Sequence, residues 1–220
     1  METLAGTGRW PLWNDPLPAH CPYAAVPPLT LTAAHPPLGI ATLPAALVAD
    51  LRTDHAGETG AVMIYRGVLA GSRDAAVRRF AMAHGATEAE HLAAIEQWLP
   101  PEQRSRLLPL WRLAGWLTGW LPSLFGARAV YATIQAVETF VDRHYAEQLA
   151  AIDACDPTRS NASLQALRAL LQACQADELA HRDEAADLLG PAPRPGWAGR
   201  GWAALVGSGS QVAVRISRWV

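Results

Sequence analysis

The chain has 220 residues, half of them hydrophobic and 17% charged, against about a quarter charged in an average soluble domain. Its 18 basic residues are all Arg and face 20 acidic ones for a net charge of −2, which excludes an electrostatic nucleic-acid binder. Three cysteines, Cys21, Cys155 and Cys174, have neither paired spacing nor an even count, which argues against a disulfide scaffold and a thiolate zinc site and for reduced thiols in a cytoplasmic protein.

Residues 1–43 hold eight of the 17 prolines, and Pro removes amide donors and breaks helices, so this stretch reads as an irregular arm. Met1-Glu2-Thr3 opens without a basic n-region and no apolar h-region follows, so export is not expected. From Pro44 a long first helix is predicted, with Leu47, Leu51, His55, Glu58, Val62, Tyr65 and Leu69 at three-four spacing before Gly71-Ser72 closes it. A second runs from about Asp74 to Trp98, with Val77, Phe80, Ala81, His84, Glu88, His91 and Ile95 on one stripe, and ends at Pro100-Pro101.

The crossover segment 107–125 is different in character. It sets Trp111, Trp116, Leu117 and Trp120 among Leu and Gly, apolar all round. The uncharged run Leu113–Ala127 is 15 residues, short of the about 20 a spanning helix needs, and Pro122 breaks it. Trp favours sites that are apolar at one end and wet at the other, so the segment reads as an interfacial helix on a membrane surface.

A third long helix is predicted from about Ala127 to Ile152, aligning Ile134, Val137, Glu138, Val141, His144, Tyr145 and Leu149 and stopping at Asp156-Pro157. The fourth starts at Asn161, a good N-cap, and carries Leu167, Leu170, Leu171, Cys174, Glu178, His181 and Ala185 before Gly190-Pro191. Nothing of comparable length alternates with period two, so 44–190 forms an all-α four-helix bundle. Residues 191–220 read as a linker and a C-terminal amphipathic segment packing on it, with 211–217 taken as a short helix over a strand.

Each of the four stripes carries a Glu in mid-helix, where an unpaired carboxylate costs several kcal/mol. Glu88-x-x-His91 and Glu178-x-x-His181 each put a carboxylate and an imidazole on one helix face. Two such pairs facing two helices with a lone inward Glu, here Glu58 and Glu138, are the pattern of a ferritin-like carboxylate site. The registers agree. Glu58 lies roughly 14 residues before the turn near Ser72 and Glu88 roughly 16 after it, at about 1.5 Å each; Glu138 and Glu178 flank the turn near residue 158 by about 20 each way. Two metal sites follow, each with one terminal Glu and one His, bridged by Glu88 and Glu178. Four carboxylates cancel two divalent ions, and an oxygen-rich donor set with imidazole and no thiolate favours iron or manganese, iron for oxygen chemistry.

Asp54-His55-Ala56-Gly57-Glu58, with Gly60 and Ile64-Tyr65 following, Glu88-x-x-His91, Ala136-Val137-Glu138 followed by His144-Tyr145, and Asp177-Glu178-x-x-His181 make residues 45–220 resemble the demethoxyubiquinone hydroxylase family of ubiquinone biosynthesis, which are di-iron, membrane-associated enzymes. The resemblance puts iron ligands on Glu58, Glu88, His91, Glu138, Glu178 and His181. Where that family often has a second Glu after the third-helix ligand, this chain has Thr139. The resemblance implies two iron ions with O2 as co-substrate, hydroxylation of a demethoxyubiquinol with an isoprenoid tail, and peripheral attachment to the cytoplasmic face of a bacterial membrane. Contacts with other ubiquinone-biosynthesis proteins are a further implication. Another ferritin-like oxidase, ferroxidase or peroxidase and a non-enzymatic quinone-lipid scaffold are the alternatives.

Tyr145 lies on the Glu138 face, either as a core aromatic or as a group near oxygen or substrate; the resemblance places the His144-Tyr145 pair by the iron site as candidate catalytic residues. His55 and His84 read as satisfied histidines of core or flank. Asp54 and Asp177 are expected to accept from the N–H groups of the ligand imidazoles and fix their orientation.

Overall fold

Two of the chain's long helices open on side-chain caps. In a computed structural model that describes residues 45–190, 201–202, 206, 209 and 216–219, α1 spans Ala45–Gly71, α2 Ala75–Glu96, α3 Leu108–Ser123, α4 Ala127–Cys155 and α5 Ala162–Leu189. The arm 1–43, the linker 191–200 and residues 211–215 of the tail lie outside the described residues; Ile216 and Ser217 are helical. Asp74 caps α2 by accepting from the amides of Ala76 and Val77 at 2.7 and 3.1 Å, and Asn161 caps α5 by accepting from Ser163 and Leu164 at 3.0 and 3.2 Å. The Asp156 carboxylate closes the α4–α5 turn through the amides of Ser160 and Asn161, both at 2.9 Å. Between α3 and α4 the chain reverses at Gly126, whose φ of 94° a side chain would strain.

The two hairpins α1–α2 and α4–α5 pack as a bundle whose interior has three layers. At one end Leu51, Ile95, Leu99, Ile152, Leu167 and Leu171 form an apolar cluster. At the other Val68, Val77, Phe80, Val130, Ile134 and Ala185 form a second. The carboxylates and imidazoles occupy the level between them.

The crossover helix α3 has two unlike faces rather than one uniform surface. Gly115, Gly119 and Ser123 are buried against α1; a Cβ added at Gly115 would lie 2.3 Å from the Gly60 carbonyl oxygen and one at Gly119 1.8 Å from that of Ile64. On the α1 side, a Cβ at Gly67 would come within 2.1 Å of the Trp116 carbonyl oxygen. The glycines let two backbones approach to near contact, as small-residue seams do. Opposite that seam Leu110, Leu113, Leu117, Leu121, Leu124 and Phe125 are exposed, Phe125 at 81%. The three Trp sit half-buried between the faces, with Trp116 and Trp120 stacked at 5.4 Å. Among the described residues no helix is long and apolar enough to cross a membrane.

α1 buries Asp50, Thr53 and Asp54 as well as its inward stripe, Asp54 against His144 and Gln148 of α4. Described residues near the C-terminus also meet the bundle. Trp202 donates through Nε1 to Thr133 Oγ1 at 2.8 Å, Val206 joins the second apolar cluster, and Arg218 pairs with Asp50 at 2.6 Å.

Candidate metal centre

The middle layer gathers Glu58 from α1, Glu88 and His91 from α2, Glu138 from α4, and Glu178 and His181 from α5. None is more than 5% exposed. Their donor atoms fall into two groups, Glu58–Glu88–His91–Glu178 and Glu88–Glu138–Glu178–His181, with the atoms of each within 4.8 Å of one another. Glu88 and Glu178 belong to both. His91 Nδ1 lies 3.3 Å from Glu178, 3.7 Å from Glu88 and 3.8 Å from Glu58, and His181 Nδ1 lies 3.0 Å from Glu88 and 3.7 Å from Glu178.

These atoms are close without satisfying one another. Glu58 Oε2, both Glu88 oxygens, Glu178 Oε2 and the Nδ1 atoms of His91 and His181 have no hydrogen-bond partner among the described residues. Buried polar atoms are nearly always partnered, so six orphans converging on two points fit a pair of cations, and four carboxylates match the charge of two divalent ions.

Protonation shows the same strain. Burial, reinforced by the neighbouring carboxylates, pushes Glu58 and Glu138 well above the usual carboxylate range. Burial also opposes charge on Glu88, but the His181 and His91 imidazoles outweigh it and hold Glu88 at about 2. His181 is in turn raised to about 9 against the cost of its burial, by Glu178 and Glu88. His91 is raised likewise, with Asp177 the leading partner. Without metal, the layer must neutralise itself with protons.

Two tyrosines brace the lone glutamates crosswise. The Tyr65 hydroxyl of α1 donates to Glu138 Oε1 of α4 at 3.2 Å, and the Tyr145 hydroxyl of α4 donates to Glu58 Oε1 of α1. Each Tyr lies seven residues after the Glu of its own helix. That repeated interval was the sequence signal for Tyr65, which stripe analysis alone reads as core.

The histidines divide by partner. Asp177 accepts from His91 Nε2 at 3.0 Å, as its position suggests. Asp54 does not meet a histidine of the six-residue cluster: it is held by His144 Nε2 at 3.0 Å and by Gln148 Nε2 at 2.7 and 2.9 Å. The correction has a simple cause. Asp54 sits one turn before Glu58 and points toward α4, where His144 and Gln148, one turn apart, form a ready donor pair. His55 pairs with Glu96 at 3.2 Å and His84 with Glu184 at 2.9 Å, while the His84 ring packs edge-on to His181 at 4.0 Å. Thr139 turns away and bonds its own helix at the Gln135 carbonyl.

A cavity of about 410 Å³ opens between α1, α3, α4 and the C-terminal residues and ends on Glu58, Glu138 and Glu178. Its walls are mostly apolar or small, including Ala56, Gly57, Gly60, Ile64, Val137 and Phe140. Trp111, Thr118, His144, Trp202, Val206, Gly209 and Ser217 also line it. The predicted Trp111 is therefore a cavity residue, whereas Leu117 lies on the outer face. The sequence suggests a C-terminal segment packing on the bundle but not that Trp202, Val206, Gly209 and Ser217 line this cavity, because nothing local ties them to residues so far upstream.

Residues 45–217 match the family described as Ubiquinone biosynthesis protein COQ7. The chain is similar to the 3-demethoxyubiquinol 3-hydroxylase of Rhodospirillum rubrum, 38% identical over 148 residues covering 64% of each protein. It is also similar to two proteins named NADPH-dependent 3-demethoxyubiquinone 3-hydroxylase, mitochondrial. The one from Dictyostelium discoideum is 42% identical over 45% of this chain and 46% of that protein. The one from Homo sapiens is 30% identical over 60% of each. The matched stretch thus spans less than two thirds of the length of each of these three.

Proposed function

Because the chain belongs to the Ubiquinone biosynthesis protein COQ7 family, we propose that it is an O2-dependent monooxygenase that hydroxylates the ring of a demethoxyubiquinol at a di-iron centre. The observation that carries this reading is the apolar cavity ending on three of the six clustered donors. Its volume of about 410 Å³ lies in the range of small-molecule sites, and its walls suit an aromatic ring with a hydrocarbon tail. A ferroxidase, whose substrate is an aqueous ion, has no use for such a cavity.

Glu58 and His91 would hold one iron, Glu138 and His181 the other, and Glu88 and Glu178 both. Bound there, the metal pair would supply the redox chemistry that activates O2. One oxygen atom enters the ring C–H bond as hydroxyl; the other leaves as water with two electrons and two protons. The electrons would come from a reduced nicotinamide nucleotide, as the names of the Dictyostelium and human relatives state for those proteins, from a reductase, or from the quinol itself.

The chain's own groups do the rest. Tyr145 and Tyr65 fix the orientations of Glu58 and Glu138. The apolar walls keep water from the reacting centre. His144 faces the cavity with Nε2 held on Asp54; although burial disfavours its charge, Asp54 raises its basicity, which suits it to hold a proton beside the ring.

The same reading puts the protein peripherally on the cytoplasmic face of the membrane, where the isoprenoid tail resides, with the exposed Leu and Phe face of α3 against the lipid. Leu113→Glu and Leu117→Glu are then expected to abolish co-sedimentation with liposomes and leave iron content intact; unchanged sedimentation would count against the contact. The functional reading itself is tested by expression in a strain lacking the hydroxylation step. Lipid extracts should regain mature ubiquinone with the wild-type chain and not with Glu178→Ala. Persistent accumulation of the demethoxy intermediate beside a folded, iron-loaded wild-type protein overturns it.

A further inference from the structure

Two walls of the cavity belong to neither hairpin: α3 and the C-terminal residues. Both are tied to α1 by one guanidinium. Arg52 donates from Nε to the Gln103 carbonyl at 2.6 Å and from Nη2 to Gln103 Oε1 at 3.1 Å. Its Nη1 donates to the Arg218 carbonyl at 3.1 Å. Gln103 ends the short turn Pro101–Gln103 that leads into α3. Arg218 belongs to a single turn near the C-terminus, closed by the Trp219 amide on the Ile216 carbonyl at 3.0 Å.

That turn points one side chain into the cavity wall. Ser217 lines the cavity and is 1% exposed, whereas Trp219 is 86% exposed. A second contact holds the same turn to α1, Arg218 Nη1 on Asp50 Oδ1 at 2.6 Å. Asp50 is buried, the Arg218 side chain only partly so. Neither Asp50 nor Arg52 lines the cavity.

A single helical turn is unstable by itself, so the place of Ser217 depends on what the turn is fastened to. Two of the three acceptors of Arg52 are backbone carbonyls, which makes its bonds fix the course of the chain. The planar fork of a guanidinium can serve two sets of acceptors at once, as an ammonium point charge cannot.

We propose that Arg52 is a positioning residue for the quinol: it docks the lead-in to α3 and the C-terminal turn together on α1, and so governs whether the cavity is assembled for the ring. Asp50 secures the C-terminal half of that arrangement. The inference rests on the functional reading above and adds to it the groups on which assembly of the binding site depends. A ligand's apparent dissociation constant rises as the fraction of molecules with an assembled site falls. Loss of the clamp therefore weakens binding of a ligand that the clamp never touches.

The test uses the full iron-loaded chain and an uncharged methoxylated benzoquinone with a short prenyl tail. Arg52→Ala removes all three bonds and is expected to raise the dissociation constant about tenfold. Asp50→Asn, which breaks one part-exposed ion pair, should raise it about two- to fivefold. Iron content stays at the wild-type level in both, since neither residue belongs to the carboxylate layer. Sodium chloride should weaken quinone binding by the wild type more than by Asp50→Asn, because the pair it screens is absent from the variant; equal salt dependence overturns the part given to Asp50.

Hydrogen exchange reads the docking directly. In Arg52→Ala the segments 101–107 and 216–219 should exchange faster together, with α2 and α5 unchanged. Acceleration of one segment without the other, or a quinone dissociation constant within about twofold of wild type, overturns the proposal. Should Arg52→Ala not fold, Arg52→Lys keeps the charge but not the fork and gives the same two readings. A wild type that takes no quinone defeats the functional reading and this inference with it. A wild type that binds quinone no better than the Arg52 variants defeats the inference alone.

Discussion

The carboxylate layer has a closed side and an open side, built from different helices. On the α2–α5 side each glutamate comes with a histidine three residues on; His91 is fastened by Asp177 and His181 is covered by the His84 ring. On the α1–α4 side the glutamates stand alone, each steadied by one tyrosine hydroxyl from the opposite helix, and the cavity begins there. The closed side supplies the nitrogen donors and both shared carboxylates. The open side supplies carboxylates that a ligand can approach. On the proposed reading such a division would separate holding a metal pair from admitting a substrate to it, and it depends on a wall, α3, that belongs to neither hairpin.

The largest effect should therefore come from prising that wall off. Gly115→Ala and Gly119→Ala each drive a methyl into an α1 carbonyl, at 2.3 and 1.8 Å, and overpacking of this kind costs about 1–3 kcal/mol per site. Combined in one chain, they are expected to lower the melting temperature more than any other change discussed here and to abolish quinone binding. Gly57→Ala, whose added Cβ meets nothing within 4 Å, should instead leave stability unchanged or raise it by about 0.5–1 kcal/mol through helix propensity. Differential scanning calorimetry on both decides the matter; equal melting temperatures would mean the seam does not hold the open side together.

That seam is also where the sequence was least legible. The four long helices and their ends could be read because three-four spacing, Asp74, Asn161 and the Pro-Pro and Gly-Pro stops are local signals. The six clustered residues could be read because Glu-x-x-His fixes a face and helix rise fixes a level. A glycine in a helix, by contrast, looks like a weakness until its partner is known, and Gly119 has meaning only against Ile64, far upstream. The same holds for Asp54, whose hydrogen bonds reach His144 and Gln148, 90 residues or more along the chain. A side chain's period reveals its face. It does not reveal which of several groups on the opposite face it will find.

The second test concerns protons and the closed side. His181 in the folded, metal-free protein is raised to about 9, while the unfolded chain titrates near the ordinary histidine value of about 6.5. A raised imidazole stabilises the fold fully below the unfolded value and loses that contribution as pH climbs through the folded one. His91 is raised as well, and Glu58 and Glu138, kept neutral by burial, push in the same direction. Glu88, at about 2, has its whole dependence at acid pH. Metal-free protein should accordingly lose on the order of 3 kcal/mol between pH 6.5 and 9 from His181 alone. Iron-loaded protein, its imidazole lone pairs committed, should change little. Thermal melts of both forms across this range read the difference; a metal-free form that is flat or gains stability with rising pH contradicts the proton accounting of the layer.

The smallest expected effect compares one brace from each side. Asp177→Asn keeps the shape around His91 Nε2 but removes the charge that sets the ring's orientation and basicity, and losses of this type lower metal affinity about 10- to 100-fold. Tyr145→Phe removes only the hydroxyl that donates to Glu58, leaving a carboxylate that still carries its charge and can turn toward the metal, so a decrease of less than about tenfold is expected, in line with a single neutral hydrogen bond. Iron titrations of the two variants under one buffer give the ratio directly. If Tyr145→Phe loses as much affinity as Asp177→Asn, the open side holds metal as firmly as the closed side does, and the division of labour between the helix pairs must be abandoned; if the order stands, the mobile carboxylate of the proposed metal centre is Glu58, at the inner end of the cavity where the ring would arrive.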